Sequence, residues 1–323
     1  MTVQRAWRVA ILGAGRMGLA HAQAWQSVGA QVVNVSSRNP ALWVGERGFA
    51  AVRDFRQAIE SPDVDVVDIC LPTPLHRAAA EHALGLGKHV LLEKPIALAV
   101  HDADAIVAAA DGSAGQLMVA HVVRFFPGYR VLREVVESGR IGAPIAATAA
   151  RLAAGSQNIA WIRDVEQSGG VAVDLLVHDY DQLNLFLGQP TSVYARPAGE
   201  RSVAVTVDYG DGRVGVAEGS NAMPSGYRFS TLLRVRCAGG VVEYASGELG
   251  DGGVVRIWLD GGGAEQLSVA APDPYAEQAR YFLDRISSGE PVEEGSGEQA
   301  RAAGAIGAAA LRSASSGVPE PLL

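Results

Sequence analysis

Lys94 closes the apolar run His89-Val90-Leu91-Leu92 within the segment Glu93-Lys94-Pro95, and with Lys88 it is one of two lysines among 27 basic residues. Where arginine serves almost everywhere else, a lysine at the carboxyl end of a buried strand suggests a site that needs a compact, titratable ammonium rather than a planar guanidinium. A chance survivor at a strand end has the same local signature. Further on, the segment Ser168-Gly169-Gly170-Val171-Ala172-Val173-Asp174-Leu175-Leu176-Val177-His178-Asp179-Tyr180-Asp181 has the length and apolar spacing of a helix begun at two glycines. On such a helix Asp174 and His178 stand at i and i+4 and share a face. A carboxylate beside an imidazole orients the ring and stabilises its charged form, which suits a proton acceptor working near neutral pH. The same spacing also describes an ordinary helical ion pair, with Asp179 and Asp181 as solvated neighbours.

A third constellation binds rather than reacts. Val9-Ala10-Ile11-Leu12 runs into Gly13-Ala14-Gly15-Arg16-Met17-Gly18 and then into a breaker-free stretch that stops at Gly29. In this strand-turn-helix context Gly13 permits a tight turn, Gly15 lets the backbone approach a pyrophosphate, and Gly18 lets helix and strand pack closely. The helix start adds amide donors and a positive dipole end. A site for NAD usually places Asp or Glu about 20 residues further on to bond the ribose 2′-hydroxyl. Here the corresponding strand ends in Ser36-Ser37-Arg38-Asn39-Pro40. Ser37 and Arg38 can receive a 2′-phosphate without charge repulsion, so NADP(H) is favoured and NAD(H) stays open; a solvated turn is the other reading of Arg38.

These residues need a frame. Strands are expected at Val9–Leu12, Gln31–Val35, Asp65–Cys70, His89–Leu92 and Leu117–His121, with helices at Leu19–Val28, Asp54–Glu60, Leu75–Leu86 and Val100–Ala110 between them. That alternation predicts an α/β, doubly wound parallel sheet. Beyond Val122 a helix at Pro127–Ser138 leads to short strands at Ile145–Leu152, Ser192–Ala195, Val203–Tyr209, Val214–Ser220, Thr231–Cys237, Val241–Ala245 and Val254–Leu259. Several are joined by glycine turns of the kind found in hairpins, as in a largely antiparallel sheet. Alanine-rich helices at Tyr275–Ser288 and Gly297–Ser315 end the chain. The expected division is a Rossmann domain for NAD(P) at 1–122 and an α+β domain for substrate binding and oligomerisation at 123–323. The final helix could return to the first domain.

With 323 residues, two hydrophobic cores are affordable in length. A hydrophobic content of 48% with only 6% aromatics points to small aliphatic packing. No apolar stretch reaches the roughly 20 residues of a membrane span, and the start leads into a strand without a signal-peptide core, so a cytoplasmic protein without membrane attachment is expected. A net charge of -8 argues against a nucleic-acid partner. Cys70 and Cys237 lack ligand spacing and read as reduced core residues, with no metal site expected.

Taken together, five ordered segments resemble the glucose-fructose oxidoreductase / inositol dehydrogenase (Gfo/Idh/MocA) family: Gly13 to Gly18 with His21; Thr73-Pro74-Leu75-His76; Gly87 to Pro95; Arg124-Phe125-Phe126-Pro127-Gly128-Tyr129; and Gly169-Gly170 through Asp174, His178 and Asp181. The resemblance covers nearly the whole chain. It implies an N-terminal Rossmann domain, a C-terminal large open sheet, and substrate held in the cleft between the cofactor and that sheet. It also implies a cis bond before Pro95, and homo-oligomers, dimeric or tetrameric, formed through the open sheet face. Carried over residue by residue, it implies cofactor contacts at Gly13, Gly15, Arg16, Met17, Gly18, Ser37, Arg38, Pro72, Thr73, His76, Glu93 and Lys94. The catalytic set becomes Lys94, Asp174 and His178, and Arg124 and Trp161 join these as substrate contacts; Tyr129, Asp179 and Asp181 have both orienting and structural readings.

The implied activity is NAD(P)-dependent hydride transfer at a carbinol carbon of a sugar, inositol or related polyol. The alternatives are a non-catalytic NADP(H)-binding regulator and a reductase of another carbonyl or imine class. One segment departs from inositol-oxidising relatives, which often carry an acidic, asparagine-containing stretch before the two glycines. Here it is Ala153-Ala154-Gly155-Ser156-Gln157-Asn158, with Asn158 the residue that could reach a hydroxyl.

Overall fold

The computed structural model describes residues 6–38, 50–154, 160–246, 253–270 and 272–322. Asn158, together with Asn39 and Pro40, lies outside them. The chain forms two compact units, the first comprising residues to Ala97, His101–Val122 and Tyr275–Arg301, the second Leu98–Val100, Val123–Pro274 and Ala302–Leu323.

In the first unit, strands β1 (Arg8–Leu12), β2 (Gln31–Ser36), β3 (Ala50–Val52), β4 (Val66–Ile69), β5 (His89–Leu92) and β6 (Leu117–Val119) form one sheet in the order β3-β2-β1-β4-β5-β6. Every pairing is parallel. Helices α1 (Arg16–Ser27), α2 (Phe55–Glu60), α3 (His76–Gly85) and α4 (Val100–Asp111) are the crossovers. Because strand side chains alternate between faces, Ala10, Leu12, Val67, Ile69, Val90 and Leu92 meet the alanine-rich sides of α2, α3 and α4 in one core. Asp68, between Val67 and Ile69, faces the other way. The strand order reverses between β1 and β4, so β1, β4 and β5 end side by side at the switch point where doubly wound sheets bind ligands.

One departure from a contiguous division at residue 122 concerns α9 (Pro274–Ser288), most of which belongs to the first unit. Phe282 packs on Trp25 of α1 with ring centroids 6.5 Å apart, and Tyr275 lies 5.9 Å from the His21 ring. Trp7 Nε1 donates to Ser287 at 3.0 Å, and Val119 N donates to the Gly295 carbonyl at 2.7 Å.

In the second unit, helices α5 (Pro127–Glu137), α6 (Ala160–Arg163), α7 (Val165–Ser168) and α8 (Val177–Leu187) accompany one nine-stranded sheet. The strands are β7 (Pro144–Leu152), β8 (Ser192–Pro197), β9 (Ser202–Asp208), β10 (Val214–Ser220), β11 (Ser230–Cys237), β12 (Gly240–Ser246), β13 (Val254–Leu259), β14 (Ala264–Ser268) and β15 (Glu320–Pro321). Their order is β14-β13-β12-β11-β7-β10-β9-β8-β15, antiparallel throughout except for β7 against β10. Val205, Val207, Ala217, Leu233, Val235, Val242, Val255 and Ile257 are buried, whereas Val214, Val216, Arg234, Arg256 and Trp258 alternate with them onto an exposed face. Residues from Ala302 onward in α10 (Gly297–Ser316) belong to this unit. Gly307 is part of its packing: a Cβ there would stand 3.3 Å from the Ala172 carbonyl and the Val173 side chain.

The strands β3, β14 and β15 were not expected from sequence; two are only two or three residues long. Among the described residues no helix is long and apolar enough to cross a membrane.

Candidate active site

The three fingerprint glycines separate by what surrounds them. A Cβ on Gly13, whose φ is +104°, would collide with the Cys70 carbonyl at the end of β4, and one on Gly18 would collide with the Gly13 carbonyl. A Cβ on Gly15 would meet nothing within 4 Å. Gly13 and Gly18 are therefore required by the protein's own packing, and Gly15 faces the room a ligand needs. Gly15 also caps α1 without any side-chain acceptor for the first amides, and Arg16 beside it is exposed, with Met17 half-buried. A helix start left open in this way fits a pyrophosphate. Ser37 is half-buried and Arg38 exposed just past β2.

Past β4, Pro72 precedes a 3-10 turn at Thr73–Leu75. Thr73 is buried, yet its hydroxyl has no hydrogen-bond partner among the described residues, so it can still bond a ligand. His76 is tied down on both sides: Nδ1 lies 2.9 Å from the Pro95 carbonyl and Nε2 2.9 Å from that of Leu71. It thus braces the loop that carries the Lys94-Pro95 cis peptide. Burial pushes its pKa below the ordinary histidine value.

Glu93 directly follows β5, held by its N–H to the Ile69 carbonyl at 2.9 Å. Its carboxylate is buried; Oε2 accepts from the Lys94 amide at 3.0 Å and Oε1 lies 3.2 Å from His21 Nε2. The other His21 nitrogen, Nδ1, lies 2.9 and 3.0 Å from the Asp68 carboxylate oxygens, and Trp25 Nε1 donates to Asp68 at 2.6 Å. Burial by itself would lower the His21 pKa, but the Asp68 carboxylate, helped by Cys70, raises it well above the ordinary value. Burial would likewise raise that of Glu93, which His21 and then Lys94 hold below the usual carboxylate range. Burial, followed by Asp68, pushes the Cys70 thiol up.

This cluster escaped the sequence reading, because its members come from α1, β4 and the end of β5 without a local pattern. Cys70 sits at its rim, half-buried just past β4 rather than inside a strand. Ligand atoms of His21, Asp68 and Cys70 lie within 4.8 Å of one another, a spacing that a metal ion could use. Here hydrogen bonds join the same atoms, including Cys70 Sγ to Asp68 at 3.4 Å.

The remaining expected residues lie in the second unit. The single helix anticipated there is divided. Gly169, at φ +73°, ends α7, and Gly170, at φ +61°, opens a π-turn at Val171–Leu175 before α8 begins. The Leu176 amide reaches back five residues to the Val171 carbonyl at 3.1 Å. Asp174 is on this π-turn and His178 on the first turn of α8. Inserted turns of this kind recur at functional sites. Asp174 lines a cavity of about 130 Å³ together with Arg163, Glu200, Arg201 and Asn221. Arg201, just before β9, donates to the carbonyl of Asn221, just after β10, a contact that carried no sequence signal. Trp161 is half-buried on α6.

Four residues read from sequence as possible orienting groups have buried structural partners. Arg124 donates from Nε and Nη2 to both carboxylate oxygens of Asp181 at 2.8 and 2.7 Å, with side chains 3% and 1% exposed. Asp179, also buried, forms the matching pair with Arg151 of β7 at 2.8 and 3.1 Å. Burial of a charge demands such a partner, so neither aspartate is a solvated neighbour and Arg124 is a core cation. Tyr129 is buried edge-on against Tyr244, with ring centroids 5.5 Å apart.

Residues 7–121 match the family profile described as "Oxidoreductase family, NAD-binding Rossmann fold", and residues 129–243 match the "GFO/IDH/MocA C-terminal domain". The inositol 2-dehydrogenase of Rhizobium meliloti is 28% identical over 331 residues, covering 95% of this chain and 96% of that one. The 1,5-anhydro-D-fructose reductase of Ensifer adhaerens is 31% identical over 236 residues, 71% of this chain and 64% of the relative. A levoglucosan dehydrogenase solved with NADH superposes with a TM-score of 0.89 over 99% of this chain and 100% of that one; at 21% identity this likeness concerns the fold.

Proposed function

The chain belongs to the Gfo/Idh/MocA oxidoreductase family, and on that premise we propose that it is an NAD(P)-dependent dehydrogenase acting on a carbinol carbon of a sugar, inositol or related polyol. The observation that carries the reading is the set of glycine contacts at the switch point: Gly13 and Gly18 are demanded by packing, whereas Gly15 leaves open space before an uncapped helix start. The names of the inositol and anhydro-sugar relatives support the substrate class.

A nicotinamide dinucleotide, when bound, supplies hydride transfer. The fingerprint amides and the Thr73 hydroxyl hold its phosphates and neighbouring groups, and Ser37 with Arg38 favours a 2′-phosphate. In the oxidation direction His178 takes the substrate hydroxyl proton, Asp174 orients the imidazole and stabilises its developing charge, and Lys94 polarises the same oxygen. Trp161 offers an apolar face to the sugar ring. The exposed sheet face bearing Val214, Val216 and Trp258 is the surface through which we expect copies to associate as a dimer or tetramer. The protein acts in the cytoplasm on this reading.

The test is purified protein given NAD or NADP with a panel of inositols, aldoses and anhydro-sugars, read at the reduced-nicotinamide absorbance. Lys94→Ala and His178→Ala should each abolish turnover, and His178→Ala should leave cofactor affinity within about threefold, because His178 acts on the substrate's reacting group. Turnover untouched by both substitutions would remove the assigned roles. Tight NADPH binding with no turnover on the whole panel would favour a regulatory protein.

A further inference from the structure

A chain of buried contacts leads from the interior of the first unit to the main chain of Lys94. Trp25 Nε1 donates to Asp68, Asp68 receives His21 Nδ1, His21 Nε2 faces Glu93, and Glu93 accepts the Lys94 amide, at 2.6, 2.9, 3.2 and 3.0 Å in turn. On the far side of Lys94, the Pro95 carbonyl is met by His76. We propose that His21 is a positioning residue for Lys94: it holds the Glu93 carboxylate, which fixes the main chain at the lysine turn. This rests on the reading of Lys94 as the residue that contacts the substrate oxygen.

Core packing does not account for the choice of these side chains. Well-packed apolar residues of similar volume in place of a buried ionic group are often neutral or stabilising, so two carboxylates and an imidazole in this position need another reason. The geometry supplies one. Each His21 nitrogen faces a different carboxylate: Nδ1 is hydrogen-bonded to Asp68, and Nε2 stands in ion-pair contact with Glu93 at 3.2 Å. Asp68 is itself fixed by the rigid middle strand β4 and by Trp25. Glu93 therefore has an anchored partner on one oxygen and the Lys94 amide on the other. A group that must meet a reacting atom depends on such support, since a displacement of about 1 Å costs roughly 100-fold in rate.

The two-lysine composition makes the test direct. Reductive ¹³C-methylation of the full chain gives two lysine side-chain signals, assigned with Lys88→Arg. Lys88, which donates to the Val64 and Ser61 carbonyls, serves as the internal reference. His21→Leu should move the Lys94 signal and leave that of Lys88 in place. On the substrate found in the panel, it should lower kcat by about 10- to 100-fold. His21→Gln, whose amide can still donate toward Glu93, should recover most of that loss.

A folded His21→Leu protein with an unmoved Lys94 signal and unchanged kcat would overturn the proposal. So would stoichiometric zinc in the purified protein that disappears in this variant, because a metal would then organise the cluster. If His21→Leu does not fold, Glu93→Gln carries the same NMR comparison, since it removes the charge facing His21 and keeps an acceptor for the Lys94 amide. An unmoved Lys94 signal in that variant is equally fatal. Absence of wild-type turnover would sink the catalytic reading of Lys94 alone, and the NMR comparison would still decide whether His21 positions it.

Discussion

Arg124 and Asp181 meet as a two-point fork, Nε and Nη2 against both carboxylate oxygens, almost sealed from solvent. Arg151 and Asp179 repeat the arrangement two residues earlier along α8. Together the pairs tie this helix to β7 and to the 3-10 turn at Val122–Phe125. The same helix carries His178 on its first turn.

Breaking one such pair should be costly. Arg124→Met leaves the Asp181 carboxylate buried and uncompensated, and should lower unfolding free energy by about 3–5 kcal/mol. Arg124→Met combined with Asp181→Leu removes both charges and should recover much of this. Urea unfolding of the two variants checks the difference; equal losses would show that the pair itself, rather than the orphaned charge, carries the stability.

The glycine turn offers a separation of binding from folding. Gly15→Ala meets open space at an ordinary φ of -85°, so its melting temperature should stay within about 2 °C of the parent. Cofactor affinity should fall by about tenfold, because the methyl occupies the approach to the backbone. Gly18→Ala, which collides with the Gly13 carbonyl, should lose both. Calorimetry and NADH fluorescence titration distinguish the two.

His21 should leave a signature in stability against pH. Its folded pKa is raised above the ordinary value near 6.5, so the native state keeps a proton that the unfolded chain has lost. Its contribution is full below 6.5 and declines as pH rises through the raised value. Burial lowers His76 and His89 instead, so they destabilise in acid and act on the opposite limb. Denaturation midpoints across the pH range should show an alkaline decline that flattens in His21→Gln, with the acid limb unchanged.

Cofactor choice should follow the end of β2. Ser37→Asp places a carboxylate where a 2′-phosphate would sit and should shift the NAD-to-NADP preference by about tenfold or more toward NAD, the equivalent of roughly 1.4 kcal/mol. Arg38→Ala should weaken NADPH alone. Steady-state kinetics with both cofactors measures each; unchanged ratios would mean that these residues do not read the ribose.

The sequence by itself determined the strand-helix alternation, the glycine turn, the hairpins at Gly210, Gly239 and Gly262, and the family. These are legible because they depend on local chemistry: the period of apolar residues, the φ a glycine permits and the order of short motifs. Tertiary structure decided which polar groups are buried together. Asp68 looks like an interruption in Val66-Val67-Asp68-Ile69 until β4 places it against His21 and Trp25. Asp179, Asp181 and Arg124 resemble surface or substrate groups until the sheet brings Arg151 under the helix and closes water out. The π-turn at Asp174 was hidden for the same reason, since an α-helix and a π-turn share one apolar pattern. Pairings between distant elements leave no periodic trace in a chain, and it is these pairings that set the charge, orientation and exposure of the groups around Lys94 and His178.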